Sequence, residues 1–256
     1  MGRACIVTGS RSGIGLEIAL QLLRLGDTVV LCSRSISSLP DQSEEVQGFV
    51  DAKKAFLVSA DLGTEQGCLE LMRSGLRLLE NELDVLVNNA GLFFTVNTEE
   101  TSTELWQKTQ ALNLDAAFHL TKAAAPHLAK TKGSIINISS VASYRPESGA
   151  LAYCVSKAGL DMLTRGTAQD LASKGVRVNA INPGEVQTPI FKSSGMSDQE
   201  VEKYMAKWAS LNPLGRVGVP ADIANLAIFL ADSSKAGWIT GQCIVVDGGQ
   251  RSFASQ

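Results

Sequence analysis

Short runs of apolar residues alternate along the chain with longer stretches in which apolar positions recur every three or four residues. The short runs are typical of buried strands and lie at residues 4–7, 28–32, 55–59, 84–87, 134–138, 176–181 and 243–246. The longer stretches predict amphipathic helices from residue 14 to about 26 and at 65–80, 102–130, 153–173 and 221–230. No Pro-, Gly- or Ser-rich linker interrupts this alternation. The pattern therefore predicts an α/β fold over residues 1–256, with a single doubly wound, seven-stranded parallel sheet flanked by helices.

A glycine-rich turn connects the first predicted strand to the first helix. Its spacing is G-x-x-x-G-x-G in place of the usual dinucleotide pattern, and its residues are Gly9, Ser10, Arg11, Ser12, Gly13, Ile14 and Gly15. Such a turn is sometimes purely structural. Here the strand–turn–helix context favours the nucleotide site of a Rossmann fold, because a helix N-terminus presents free N–H groups to a pyrophosphate.

The residues after the second predicted strand indicate which nucleotide is preferred. A carboxylate there would accept hydrogen bonds from the adenine ribose and repel a 2′-phosphate. This chain has Arg34 instead, which can pair with a 2′-phosphate, and Arg11 can add a second positive charge. The alternative is that Arg34 is an ordinary solvated cation, but the sequence favours NADP(H) over NAD(H). Asp61 and Leu62 end the third predicted strand, where Asp61 is expected to meet the adenine edge.

A tyrosine and a lysine four residues apart, Tyr153 and Lys157, open the helix predicted at 153–173. They share one face of that helix, and an ammonium beneath a phenol favours the phenolate. We therefore expect Tyr153 to exchange a proton nearer to neutral pH than its reference pKa of about 10. Ser140 follows the strand at 134–138 and is placed to hydrogen-bond a substrate oxygen. Since Tyr–Lys pairs at this spacing are commonly solvated surface pairs, the assignment depends on the other motifs.

Asn113 is a polar residue between two leucines on the helix predicted at 102–130. A polar side chain at such a position usually hydrogen-bonds to nearby backbone. The other interpretation is that it holds a kink or a water beside the active site.

Composition and charge argue against several other classes of function. The 256 residues carry a net charge of −3 without a basic stripe, which disfavours nucleic acid and anionic membranes as partners. Five scattered cysteines without a C-x-x-C motif indicate reduced thiols, and two histidines do not support a metal site or Ser-His hydrolysis. We find no secretory signal and no membrane span in the sequence, so we expect a cytoplasmic protein.

With these motifs the chain resembles the short-chain dehydrogenase/reductase family over nearly its whole length. The matching residues occur in order: T-G-x-x-x-G-I-G at 8–15, Asp61, N-N-A-G at 88–91, Asn113, Ser140, Y-x-x-x-K at 153–157, and P-G at 183–184. Ser140 lies thirteen residues before Tyr153, and this spacing selects it over Ser139. Each piece alone is a weak signal, but the ordered set is specific.

The resemblance implies a role for each matching residue. Tyr153 would donate or accept the proton, and Lys157 would hold the nicotinamide ribose and bias the Tyr153 pKa. Ser140 would orient the substrate oxygen, and Asn113 would kink its helix and position a water for a proton relay. Together with the reasoning from Arg34 and Arg11 above, cofactor contacts are expected for Gly9, Ser10, Arg11, Gly13, Ile14, Gly15, Arg34, Asp61, Leu62, Asn89, Ala90, Gly91, Tyr153, Lys157, Pro183, Gly184, Val186 and Thr188. In one departure from the family pattern, Ser12 replaces the basic residue that often precedes the second glycine in NADP-preferring members, so the cofactor assignment depends mostly on Arg34.

The resemblance also implies an activity and an assembly. The activity is NADP(H)-dependent interconversion of a carbonyl and a secondary alcohol, with Tyr153 as general acid/base, in a homotetramer or dimer. Three alternatives stay open: a 3-oxoacyl thioester reductase, an epimerase or dehydratase with bound cofactor, and a nucleotide-binding scaffold or sensor with weak activity. A substrate lid is expected around residues 190–212. The sequence does not distinguish an acyl thioester, a sugar, a steroid or a xenobiotic ketone as substrate.

Overall fold

The computed structural model describes residues 2–35 and 43–250, and within them it confirms the predicted α/β fold. All seven predicted strands form one parallel sheet in the order β3-β2-β1-β4-β5-β6-β7. Helices cover both faces of this sheet, which is the doubly wound arrangement that alternating strands and helices produce.

The seven strands lie close to their predicted positions, and the helices include several that were not predicted. The strands are β1 Ala4–Thr8, β2 Thr28–Ser33, β3 Ala55–Ser59, β4 Val85–Asn88, β5 Ser134–Ile138, β6 Arg177–Pro183 and β7 Cys243–Val246. The helices are α1 Gly13–Arg24, α2 Ser43–Asp51, α3 Glu65–Leu78, α4 Thr103–Gln110, α5 Ala116–Thr131, α6 Leu151–Leu171, α7 Ile190–Ser193, α8 Asp198–Leu211, α9 Pro220–Ala231 and α10 Ser233–Ala236.

The order of strands reverses between β1 and β4. Val7 of β1 lies opposite Leu31 of β2 on one side and opposite Val87 of β4 on the other. The connections that follow β1 and β4 therefore run to opposite faces and leave a crevice at the carboxyl ends of these strands, where ligands bind in such sheets. The hydroxyl of Thr8 joins the two sides, since it accepts hydrogen bonds from the backbone N–H groups of Asn89 and Ala90 at 2.9 and 3.0 Å.

Two apolar layers, one on each face of the sheet, hold the fold together. One layer contains residues of α1 and α9 such as Leu22 and Ile223, and the other contains residues of α3 and α5 such as Leu71 and Leu120. A smaller third cluster includes Phe93, Cys154 and Phe191, with side chains of α8 packed against it. This third cluster attaches α7 and α8 to the first turns of α6.

The structure differs from the sequence prediction within the helices. The helix predicted at 102–130 is α4 and α5 joined by a π-helical turn, Ala111–Asp115. Helix α6 begins at Leu151, so Tyr153 lies inside its first turn. Helix α2 has no predicted counterpart, because its sequence mixes Glu, Gln and Gly with few apolar positions. Helix α8 lies in the expected lid segment and begins with a capping box, in which the Ser197 N–H donates to Glu200 Oε2 at 2.8 Å.

Candidate active site

A cavity of about 460 Å³ lies at the carboxyl ends of β4, β5 and β6 and brings together half of the predicted site residues. The predicted residues that line it are Ile14, Asn89, Gly91, Ser140, Tyr153, Lys157, Pro183, Gly184, Val186 and Thr188. They come from five separate segments of the chain, which meet because parallel strands all end at the same edge of the sheet.

Tyr153 and Lys157 enter the cavity from the first two turns of α6. The Tyr153 ring packs edge-on against Phe93, with ring centroids 5.1 Å apart. Lys157 is 4% exposed, and its Nζ donates a hydrogen bond to the backbone carbonyl of Ile138 at 2.8 Å. The same Nζ lies 5.7 Å from the centroid of the Tyr153 ring. The pair is therefore enclosed at the sheet edge and is not a solvated surface pair.

The position of Ser140 is set by a buried polar network at the end of β5. Its hydroxyl accepts from the Ala142 N–H at 3.1 Å, which caps a short 3₁₀ turn, Val141–Ser143. The amide of Asn182 donates to the Ser140 carbonyl at 3.1 Å and to Asp161 Oδ2 at 2.9 Å. The Ser143 hydroxyl lies 2.6 Å from the same carboxylate oxygen. Asp161 of α6 and Asn182 of β6 thus fix the loop that presents Ser140 to the cavity.

The electrostatics of the pair correct one expectation from the sequence. Enclosure by the protein raises the pKa of Tyr153 to about 12, and the nearby Glu147 and Glu185 act in the same direction, while the Ser140 hydroxyl opposes them. Burial also lowers the pKa of Lys157 to about 8, although Asp161 acts against this shift. The prediction that Tyr153 titrates nearer to neutral pH is therefore wrong for the structure as it stands. Desolvation, which sequence spacing does not reveal, is the largest cause of the raised pKa of Tyr153.

Asn113 occupies the centre of the π-helical turn and is 2% exposed. Its Oδ1 accepts from the Leu92 N–H at 2.9 Å, and its Nδ2 donates to the Leu92 carbonyl at 3.0 Å and to Ser156 Oγ at 3.1 Å. The side chain therefore joins α6 to the segment after β4. The backbone bond expected of Asn113 is therefore present, but its partner Leu92 lies on another segment, 21 residues away, and the π turn supplies the irregularity in the helix.

The glycine turn before α1 lies against the end of β4. Gly9 has a φ of +61°, and a Cβ at this position would lie 2.8 Å from the Ala90 Cα. The Asn89 side chain donates to the carbonyls of Thr8 and Gly9 at 2.9 and 3.1 Å. A Cβ at Gly15 would collide with this same amide. Glycine is required here because the turn and β4 approach each other closely.

Several predicted cofactor residues lie outside the cavity wall. Arg11, Arg34 and Asp61 are exposed, at the carboxyl ends of β1, β2 and β3, on the side of the crevice away from Tyr153. Ser10 is buried, and its hydroxyl bonds the Val7 carbonyl at 2.9 Å and accepts from the Cys32 N–H at 2.9 Å. The Leu62 side chain is part of the core cluster beneath α3, so only its backbone is available to a ligand. Their cofactor roles stay predictions.

The cavity also has a wall that the predicted site does not include. Its members are Arg145, Glu147, Glu185, Tyr204, Lys207, Trp208, Asp247 and Gln250. Tyr204 and Trp208 are four residues apart on α8, so the helical spacing of two aromatic residues is the one sequence signal that would have found part of this wall. Lys207 lies on the same helix, and Arg145 and Glu147 lie in the loop that leads from Ser140 into α6. Glu185 follows β6 and Asp247 and Gln250 follow β7, and no pattern along the chain connects these three to α6.

Comparisons with known proteins place the chain in a family. A family model described as enoyl-(acyl carrier protein) reductase matches residues 9–251. A 3-oxoacyl-(acyl-carrier-protein) reductase from Thermotoga maritima is 33% identical over 97% of this chain and 97% of its own length. The L-fucose dehydrogenase of Bos taurus is 35% identical over 97% of this chain and 89% of its own length.

Among solved structures, a short-chain dehydrogenase/reductase of unknown function from Caenorhabditis elegans, crystallised with cofactor, superposes with a TM-score of 0.88. It is 36% identical in sequence, and the match covers 98% of this chain and 96% of the other. The fold, the order of the motifs and these matches agree over almost the entire chain. The chain is therefore an oxidoreductase that belongs to the short-chain dehydrogenase/reductase family.

Proposed function

We propose that the protein interconverts a carbonyl compound and a secondary alcohol with NADP(H), with Tyr153 as general acid and base. The observation that carries this proposal is the meeting of Tyr153, Ser140 and Lys157 in one cavity at the carboxyl edge of the sheet. Asn113 and Lys157 both lie close to Gly91. A Cβ added to Gly91 would be 3.3 Å from Asn113 Oδ1 and 3.8 Å from Lys157 Nζ. A phenol, a hydroxyl and an ammonium around one space form a site for proton transfer to a substrate oxygen.

The residues of the crevice fit a dinucleotide. Ser12 caps α1 without a side-chain hydrogen bond, and the first turn of α1 contains no acidic residue, so its N–H groups are available to a phosphate. Gly13 has a φ of +58°, and a Cβ there would lie 3.2 Å from the Thr188 side chain. Ile14, which follows Gly13, and Thr188 line the same cavity as Tyr153. A bound nicotinamide would supply or accept the hydride at the carbon of the substrate.

The chain's own residues account for the movement of the proton. In the reductive direction, the Ser140 hydroxyl donates a hydrogen bond to the carbonyl oxygen and orients it toward Tyr153. The Tyr153 phenol protonates this oxygen, and its high pKa keeps the proton on the phenol until the oxygen becomes basic. Lys157 stabilises the resulting phenolate by its charge and is in turn held by the Ile138 carbonyl. In the oxidative direction the same groups accept the proton.

NADP(H) is the cofactor that the exposed arginines support best. Arg34 follows β2 and Arg11 lies in the glycine turn, and both are exposed at the end of the crevice where the adenine ribose is expected. No acidic residue follows β2 directly, since the chain reads Ser33-Arg34-Ser35. A 2′-phosphate would thus meet positive charge.

We also propose that α7 and α8 form a substrate lid over residues 190–212. Five cavity-lining residues come from this segment, and it packs mainly on the third apolar cluster and not on either layer of the sheet. A lid of this kind excludes water from the reaction when closed. Because it packs mainly on the third apolar cluster, it can open to admit substrate without disturbing the two layers on the sheet.

Two further proposals concern assembly and location. The protein would form a homo-oligomer through α5 and α6, where Phe118, Val155 and Met162 are 46%, 40% and 62% exposed. A cytoplasmic location is supported by the five cysteines, all of which are free thiols. No helix among residues 2–35 and 43–250 is long and apolar enough to cross a membrane.

The test is a parallel measurement of binding and turnover. NADPH and NADH are titrated into the purified protein while the fluorescence of the bound nicotinamide is followed, and oxidation of NADPH is then measured with a panel of ketones and aldehydes. We expect tighter binding of NADPH and turnover with part of the panel. Binding without turnover across the panel would contradict the enzymatic proposal and favour a nucleotide-binding scaffold.

A further inference from the structure

Two carboxylates, Glu147 and Glu185, line the same cavity as Tyr153 and Ser140. Glu147 follows the 3₁₀ turn after β5, and Glu185 follows Pro183-Gly184 after β6. Burial raises the pKa of both carboxyl groups, and each raises the pKa of Tyr153. They are therefore within electrostatic reach of the Tyr153 phenol. Such a wall does not suit an apolar chain, because a hydrocarbon would desolvate both carboxyl groups without offering a hydrogen bond.

Two buried acceptor atoms on the same wall, Glu185 Oε2 and Gln250 Oε1, have no hydrogen-bond partner of acceptable geometry among the described residues, although the Gln250 side chain also bonds to the Glu185 carboxyl group. The buried indole N–H of Trp208 is directed to the Tyr204 hydroxyl. Gln250 is 7% exposed, and it lies against the cavity beside Gly184, where a Cβ would be 3.2 Å from its Oε1. Buried polar atoms in native proteins nearly always have a partner. The two acceptors thus point to a ligand that supplies hydrogen bonds at several positions.

The chemistry of the wall distinguishes between ligand classes. Glu185 Oε2 and Gln250 Oε1 are acceptors, whereas the indole N–H of Trp208 is a donor. An ammonium group only donates, and an acyl chain does neither. A hydroxyl group both donates and accepts, so a compound with several hydroxyls matches the mixed set. The Tyr204 hydroxyl already shows this pairing, since it donates to Glu147 Oε1 at 3.1 Å.

A continuous aromatic surface lies next to these polar atoms. It consists of Phe93, Tyr153, Phe191, Tyr204 and Trp208, with neighbouring ring centroids 5.1 to 6.0 Å apart. The C–H face of a sugar ring is apolar while its edge carries hydroxyls. An aromatic surface with acceptors and a donor beside it is complementary to both parts of such a ring.

We propose that the substrate is a polyhydroxylated compound of monosaccharide size, recognised by Glu147, Glu185, Trp208 and Gln250 through its hydroxyl groups. The proposal rests on the proposed oxidoreductase function and specifies the substrate class of the same site. Glu147 and Glu185 hold hydroxyls near the reacting carbon, and the aromatic surface contacts the face of the ring.

The first test compares substrate classes in the full-length protein. Rates with NADP⁺ are measured for aldohexoses and 6-deoxyhexoses, and rates with NADPH for cyclohexanone, decanal and an acetoacetyl thioester. We expect kcat/KM for at least one sugar to exceed that of every apolar or acyl compound by tenfold or more. Higher values for decanal or the thioester would overturn the inference and leave the oxidoreductase proposal intact. Turnover of none of them by protein that binds NADPH would contradict both proposals.

The second test uses substitutions that keep side-chain size. Glu147→Gln and Glu185→Gln should each raise KM for the sugar by about 10- to 100-fold, the range for losing a hydrogen bond to a charged group. KM for cyclohexanone and the Kd of NADPH should stay within about threefold. Glu202→Gln, an exposed position on α8, is the matched control. Equal changes in KM for the sugar and for cyclohexanone would show a purely structural role and overturn the inference.

Discussion

Lys157 is an ammonium group that the fold encloses almost completely, with one backbone carbonyl as its hydrogen-bond acceptor. Spacing along the helix was enough to predict that Tyr153 and Lys157 share a face, and the structure places them together. Spacing does not reveal burial, and the direction of the Tyr153 pKa shift was therefore predicted wrongly. A single residue's charge state depends on the several chain segments that surround it, which no local motif encodes.

The depressed pKa of Lys157 gives the protein a measurable pH dependence of stability. The unfolded lysine has a pKa of 10.5 and the folded one about 8, so between these values the unfolded state binds more protons. The cost of burying the charge is present below pH 8 and disappears as the pH rises. The free energy of unfolding of the parent, minus that of Lys157→Met, should increase by roughly 2–3 kcal/mol between pH 8 and 10.

Urea unfolding at pH 7, 8, 9 and 10 measures this difference. The subtraction removes the opposite contributions of buried thiols such as Cys32, whose pKa is raised to about 12. The window ends at pH 10 because above it Tyr153, with a raised pKa, acts in the opposite direction. A difference that is independent of pH would show that Lys157 titrates normally in the folded protein.

Arg34 determines the preference between cofactors if it meets the 2′-phosphate. Arg34→Asp replaces attraction by repulsion, and we expect the ratio of the Kd values for NADPH and NADH to rise by at least about tenfold. Arg73→Asp makes the same charge change at an exposed position in the second half of α3 and serves as the control. An unchanged ratio in Arg34→Asp would leave the 2′-phosphate assignment without support.

At the scale of elements, apolar periodicity was sufficient to predict the seven strands and the helices α1, α3, α6 and α9, with α4 and α5 predicted as one helix. The π turn at Ala111–Asp115 has no such signal, because one extra residue in a helical turn leaves the neighbouring pattern intact. Its position is defined by long-range contacts, since Asn113 bonds to both backbone groups of Leu92. Helix α2 was missed because its apolar periodicity is weak. The contribution of α8 to the cavity wall was missed because it depends on tertiary contacts.

The Asn113 side chain should stabilise the junction of this turn more than its partner Ser156 does. Asn113→Ala removes three hydrogen bonds and leaves the N–H and carbonyl of Leu92 without their partner, so we expect a loss of about 2 kcal/mol and a lower kcat. Ser156→Ala keeps the Leu92 contacts and should cost about 1 kcal/mol. Urea unfolding and steady-state kinetics measure both variants. A smaller loss for Asn113→Ala than for Ser156→Ala would contradict this role.

At the scale of the whole molecule, the alternation of strands and helices predicted the parallel sheet because few topologies bury every strand between two helical layers. The reversal between β1 and β4 then places the glycine turn next to the segment after β4, and the motif residues meet there. The meeting of Ser140, Tyr153 and Lys157 in one cavity was therefore predictable from sequence. The meeting of Glu185 and Gln250 in its wall was not, because these residues come from separate segments whose approach depends on the complete fold.

The exposed apolar side chains on α5 and α6 lead to a prediction about assembly. Light scattering should show a dimer or tetramer, and Met162→Glu should shift the mass toward smaller species by placing a charge in the contact. Leu69 is a partly exposed leucine on α3, so Leu69→Glu makes a comparable change outside the proposed contact and should not alter the mass. A monomeric parent at working concentration would contradict the proposal.

The most direct test of the account is the rate of hydride transfer in Tyr153→Phe, measured in a single turnover by the absorbance of NADPH. The variant keeps the ring against Phe93 and removes the proton, so the rate constant should fall by about 10²- to 10⁴-fold while the Kd of NADPH changes little. Tyr144→Phe is the matched control, since the Tyr144 hydroxyl bonds the Cys243 carbonyl at 3.1 Å and does not line the cavity. A Tyr153→Phe rate within a few-fold of the parent would contradict the assignment of this phenol as the proton donor.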